Sequence, residues 1–167
     1  MATERHQQVS ASLTPAELVQ LLRRQLRRGL RASRLLDSPE LLSFFCPQFT
    51  PSVAADGLVT SANMFDQALI AEQRISEAIE RIGGQPAQAL RILSGLEDGT
   101  VGLSLAERRK RAGQVLGTKS RSVSAATFLK HYEPGLVLDL GLEMWRDESS
   151  YSDAGQQSNS LRRTGDI

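Results

Sequence analysis

The chain has 167 residues, 40% hydrophobic and 23% charged, with a net charge of +1. That length and composition suit one folded domain and exclude wholesale disorder. No run of about 18 apolar residues exists to span a membrane, and the N-terminus MATERHQQVSASLTPAE lacks the apolar stretch of a signal peptide.

Thr14-Pro15-Ala16-Glu17 opens the first helix: Thr14 caps it, Pro15 suits the first helical position and Glu17 reaches back to the cap amide. Leu18, Leu22, Leu26 and Leu30 recur every fourth residue, opposite Arg23, Arg27, Arg31 and Arg34. This spacing predicts a helix to about Leu36, with Gly29 as its weak spot. Ser38-Pro39-Glu40 starts a short second helix carrying Leu41, Leu42, Phe44 and Phe45. Pro47 ends it, and a loop follows to Gly57 in which Phe49 and Val53 are candidates for packing.

A third helix is predicted from about Ser61 to Ile82, with Phe65, Leu69, Ile75, Ile79 and Ile82 on one face and Gly83-Gly84 as its stop. Pro86 restarts a short fourth helix with Ala89, Leu90, Ile92 and Leu93 inward. Glu97-Asp98-Gly99-Thr100 is a turn. Ser104-Leu105-Ala106-Glu107 is a second capping box, opening a fifth helix that runs to Leu116 with Gly117 as its C-cap. Ser124 caps a sixth helix through Tyr132, and Pro134 breaks the chain and starts a seventh. No segment alternates with period two, so the expected fold is all-α. It is a compact bundle of about seven helices over 14–147, between a flexible N-terminus (1–13) and a polar, Ser-rich, disordered tail (148–167).

Charge is distributed unevenly along the chain. Residues 15–37 sum to +4, 38–98 to −5 and 99–147 to +3. The economical reading is that these segments fold back and neutralise one another; the other is a basic face turned to an anionic partner. The stripe Arg23, Arg24, Arg27, Arg28, Arg31 and Arg34 has three readings accordingly. They are a solvated face, pairing with Glu72, Glu77 and Glu80 of the third helix, or a surface for phosphate or anionic lipid.

The stretch AERRKRAGQVLGTKSRSVSAATFLKHYEP places a helix ending at Leu116-Gly117 before one beginning near Ser124, in the manner of a helix-turn-helix. There the second helix presents its N-terminal part to base edges. The readers would be Ser124, Ala125, Thr127 and Lys130, with Arg108, Arg109, Lys110, Arg111, Lys119 and Arg121 near phosphates. The turn 118–123 is several residues longer than the usual three or four. A purely structural hairpin is the competing reading. The seventh helix has more apolar positions than one stripe needs: it is either buried centrally or presents Leu136, Leu140 and Trp145 as a partner surface.

Three segments together resemble a helical module found widely in actinobacterial proteins of unknown role, over residues 18–145. They are Leu35-Leu36-Asp37-Ser38-Pro39-Glu40-Leu41-Leu42 with Cys46-Pro47; Gly95-Leu96 with Gly99-Thr100-Val101-Gly102-Leu103-Ser104-Leu105-Ala106-Glu107-Arg108-Arg109; and Ala112-Gly113, Leu116-Gly117 and the run Thr127-Phe128-Leu129-Lys130-His131-Tyr132-Glu133-Pro134. The resemblance implies an all-helical, non-catalytic module in a regulatory or adaptor setting.

Residues able to do chemistry each have a structural competitor. His131, next to Tyr132 and a helix end, suits capping or packing. Cys46, the only cysteine, excludes an internal disulfide framework and suits burial as a small apolar group. Two distant histidines and one cysteine do not make a usual zinc set. Gly83-Gly84 and Gly99-x-x-Gly102 lack the context of a phosphate loop. The expectation is therefore a cytoplasmic, non-catalytic regulatory or adaptor module acting through protein–protein contacts, with no cofactor, no metal and no integral membrane association. A helix-turn-helix DNA-binding regulator is the alternative.

Overall fold

The computed structural model describes residues 13–46, 61–117 and 123–161. They form an all-α bundle: α1 (Pro15–Leu26), α2 (Ala32–Leu35), α3 (Pro39–Phe45), α4 (Ser61–Ile82), α5 (Gly84–Ser94), α6 (Leu105–Leu116), α7 (Ala125–Thr127), a π turn (Phe128–Tyr132) and α8 (Glu133–Leu161). No strand occurs among the described residues. The loop positions Phe49 and Val53, and most of the turn after α6, lie outside them. No described helix is long and apolar enough to cross a membrane.

Both capping boxes form. Thr14 N–H donates to Glu17 Oε2 at 2.7 Å while Glu17 N–H donates to Thr14 Oγ1 at 3.3 Å. Ser104 and Glu107 repeat the exchange at 3.0 and 3.3 Å. Each box satisfies amides that have no partner inside the helix.

One long helix was expected from Thr14 to Leu36, and the structure divides it. α1 stops at Leu26, and Gly29 adopts φ +105°, a left-handed conformation open to glycine. The break lets Leu30 N–H reach Ser94 O at the end of α5, 2.8 Å away. Buried Gln25 holds the turn closed, donating through Nε2 to Gly29 O (3.2 Å) and Arg34 O (2.7 Å).

The two C-terminal helices expected on either side of Pro134 are one rod. Pro134 has no N–H, and its ring would crowd the carbonyl four residues back in a regular helix. The chain widens by one residue instead: Glu133 N–H bonds to Phe128 O, five residues back, and the right-handed backbone continues. Beyond Trp145 neither a proline nor a Gly-Gly pair intervenes, and α8 runs on to Leu161 through residues expected to be disordered.

The core is built from Leu18, Leu22, Leu26, Leu30, Leu35, Leu41, Ile75, Ile79, Leu90, Leu93, Phe128 and Leu140, all at 1% exposure or less. Burial of each such side chain contributes about 1.5–3 kcal/mol before entropy is counted. α4 packs against α2, α3, α5 and α8, through alanines and two isoleucines. Ala68, Ala71, Ile75, Ala78 and Ile79 face inward, whereas Phe65 and Leu69, expected on that face, are 44% and 47% exposed. α8 crosses α1 at Gly141, where an added Cβ would come within 2.6 Å of Val19 Cγ2.

Candidate interaction surfaces

Arg108, expected near a phosphate, is buried at 3% exposure and turned into the protein. Its guanidinium donates to Leu93 O near the end of α5, and through Nη2 to Leu26 O (2.9 Å) and Arg27 O (3.1 Å) at the end of α1. The last carbonyls of a helix have no intrahelical donors and carry the negative end of its dipole. One arginine on α6 thus closes two other helices. Gly29 and Gly95, both with positive φ, border the guanidinium: a Cβ on either would lie in ordinary contact with its Nη1, at 3.9 and 3.7 Å. Burial, and then the charge on Arg109, hold Arg108 below its usual pKa, with Glu133 acting the other way. Its Nε has no partner among the described residues.

Arg109 is engaged as well. It grips Glu133 with two bonds, Nε to Oε2 at 2.6 Å and Nη2 to Oε1 at 2.8 Å, and this pairing raises its pKa above the usual value. The pair fastens α6 to the start of α8. Arg111 is exposed and donates to Gly99 O at 3.0 Å. Lys119 and Arg121 lie outside the described residues.

Ser124 caps α7 as expected, accepting from Thr127 N–H at 3.1 Å. Ser124, Thr127, Lys130 and His131 are exposed, while Phe128 is fully buried and roots this segment in the core. His131 sits inside the continuous rod, so it does not end a helix. Gly113 permits close approach of α6 to the start of α7: a Cβ there would lie 2.5 Å from Val123 O.

Of the two readings of the seventh helix, central burial is the one its residues follow. Leu136 and Leu140 are buried, and Trp145 is half-buried, with its ring stacked on Phe44 at 6.2 Å between centroids. The inward face of α8 comprises Leu136, Val137, Leu140 and Met144. Leu138 and Leu142, each two residues further on and about 200° round the helix, are exposed at 47% and 39%.

Among the described residues no ion pair joins the arginine stripe to α4. Glu72 accepts from the Ala32 amide, Glu77 from Gln73 Nε2 (2.9 Å) and Glu80 from Arg91 (2.5 Å). Within the stripe, Arg28 meets Asp37 at 3.2 Å, and Arg31 donates to Gly95 O at 2.8 Å and Leu96 O at 3.5 Å. Arg23, Arg24, Arg27 and Arg34 are exposed and make no side-chain bond or ion pair among the described residues.

Cys46 is half-buried against the core. Among the described residues no three His, Cys, Asp or Glu side chains gather so as to hold a metal. Sequence reasoning missed Gln25 and Arg108 as internal ties. Gln25 announces itself as a polar residue between Leu22 and Leu26 on the apolar face, whereas Arg108 is indistinguishable in sequence from its basic neighbours.

In comparisons with known proteins, no family model matches the chain, and neither a curated protein nor a solved structure is significantly similar to it.

Proposed function

We propose that this chain is a non-catalytic regulatory or adaptor module that works through protein–protein contacts, with the outer face of α8 as a contact surface. The observation that carries this reading is that α8 is apolar on two sides. One side fills the core, and the other leaves Leu138 and Leu142 in solvent one turn apart. Exposed apolar side chains at that spacing suit a partner helix or groove. The test is a pull-down with the full chain and with a Leu138→Lys/Leu142→Lys variant, run at low and high salt. The reading expects a partner retained at high salt by the parent and lost by the variant, with circular dichroism unchanged. Equal capture by both proteins overturns it.

A second reading, a helix-turn-helix DNA-binding regulator, is favoured by the exposure of Ser124, Thr127 and Lys130 at the start of the rod. Arg108 and Arg109 are committed internally, so its phosphate contacts would fall to Arg111, Lys130 and the turn between α6 and α7. This reading expects duplex binding that weakens steeply with salt and is lost on replacing Arg111 and Lys130 with Ala.

A further inference from the structure

We infer that the outer face of α1 and α2 is a docking surface for an acidic segment of a protein partner, read by Arg23, Arg24, Arg27 and Arg34. This names a partner chemistry for the protein-contact reading above and rests on it. Arg23 and Arg24 lie in the last turn of α1, Arg27 caps that helix in right-handed backbone one turn after Arg23, and the bond from Gln25 Nε2 to Arg34 O brings α2 against the same end. The spacing matches carboxylates one turn apart on a partner helix, and each guanidinium fork can take a carboxylate through two bonds.

The fold leaves this charge unused. Asp37 meets Arg28 alone, and Glu72, Glu77 and Glu80 of α4 are engaged elsewhere. The end of α1 that carries Arg27 is held in place from behind, because Arg108 bonds the Leu26 and Arg27 carbonyls. The arginines at this end are therefore mounted on a fixed backbone, which spares docking the cost of ordering the main chain there.

The surroundings favour a polypeptide over the other polyanions. Exposed Glu17 stands in the first turn of α1, and exposed Asp37 sits against Arg28 beyond its other end. A phosphate ridge or a lipid plane long enough to cover the stripe would press on those carboxylates. No large apolar side chain is exposed anywhere in α1, α2 or α3 to insert into a bilayer, and no aromatic ring is offered there for base stacking. A short acidic segment meets the arginines and stops before the acids.

The test is fluorescence anisotropy on the full chain with a short labelled peptide bearing glutamates at helical spacing. Its glutamine counterpart, a random-sequence DNA duplex and phosphatidylserine vesicles are run beside it. The expected result is binding of the Glu peptide at least about tenfold tighter than the Gln peptide, weakening as salt rises. It should be lost in R23A/R24A/R27A/R34A, whose circular dichroism matches the parent. Equal affinity for the two peptides overturns the inference, as does an Ala variant that binds like the parent. Tighter, arginine-dependent binding of the duplex or the vesicles overturns it too and reassigns the surface. If the Leu138/Leu142 face captures a partner but the Glu peptide does not bind, this inference alone has failed. If the peptide binds but the α8 face holds nothing, the α8 reading alone has failed.

Discussion

Arg108 is the residue on which the most geometry converges. Arg108→Ala removes the donors from three carbonyls at two helix ends, and an unsatisfied buried polar group costs about 1–3 kcal/mol. Water can reach part of the vacated space, so the expected loss is about 2–4 kcal/mol in a denaturant melt. Arg108→Lys should recover little of it, because one ammonium cannot span the ends of both α1 and α5. A lysine variant as stable as the parent would show that charge alone, and not the fork, closes these helices. Gly29→Ala acts on the same junction: it forces a left-handed φ of +105° on a Cβ that would lie 3.2 Å from Ser94 O. A loss of about 1–3 kcal/mol is expected.

The capping carboxylates give a pH signature. Bonds from the Thr14 amide and then its hydroxyl hold Glu17 below its ordinary value of 4.5. The Ser104 hydroxyl and then its amide do the same for Glu107. A pKa lower in the folded state means that the unfolded chain binds more protons, so stability rises with pH across that interval. The contribution is complete above pH 4.5 and is lost as pH falls through the folded values. Thermal melts should therefore lose Tm on acidification below that point, with a shallower slope in Glu17→Gln/Glu107→Gln. An unchanged slope would mean that the boxes are not formed in solution.

Two glycines set how closely the helices approach, and they should respond differently. At Gly113 the obstructing atom is a backbone carbonyl, Val123 O at 2.5 Å, which can move only if the start of α7 moves. At Gly141 it is the Val19 methyl at 2.6 Å, which can yield by rotating. Replacing glycine by alanine within a helix gains about 1 kcal/mol of propensity at either position, while overpacking costs about 1–3 kcal/mol. Gly113→Ala should be clearly destabilising in a urea melt and Gly141→Ala close to neutral. The reverse order would mean that the α1–α8 contact is the stiffer of the two.

What could be read in advance divides along the same physical lines. Starts were legible because capping is local: Thr14 with Glu17, Ser104 with Glu107, and Ser124 each began a helix as expected. The inward face of α5 was legible because its stripe is unbroken. Breaks were not, since a break is decided by a distant partner. Gly29 ends a helix because Ser94 O and Arg108 wait there, and Pro134 fails to end one because the π turn absorbs it. The phase of α8 was read only in part: Leu136 and Leu140 were recognised as apolar, but their orientation depends on α1 and α4, which α8 packs against. The basic run 108–111 looked uniform in sequence, yet burial separates Arg108 and Arg109 from Arg111.

Charge across the whole chain leads to one further expectation. Residues 15–37 carry +4, and Arg23, Arg24, Arg27 and Arg34 within them make no ion pair among the described residues. Like charges four apart on a helix cost about 0.2–0.5 kcal/mol, and Arg23 with Arg27, the cap of α1, is such a pair. Salt at about 0.15 M shortens the screening length to about 8 Å, so it should relieve this repulsion. The parent should therefore gain Tm on moving from low to physiological salt. R23A/R24A/R27A/R34A should melt higher at low salt and gain less on the same addition, since alanine removes the repulsion and favours the helix. A parent that loses Tm with salt while the variant does not would mean that the arginines attract something within the chain, leaving nothing free for a partner. The expected direction instead describes arginines that repel one another and are held by nothing within the fold, which is the state an acidic partner would relieve.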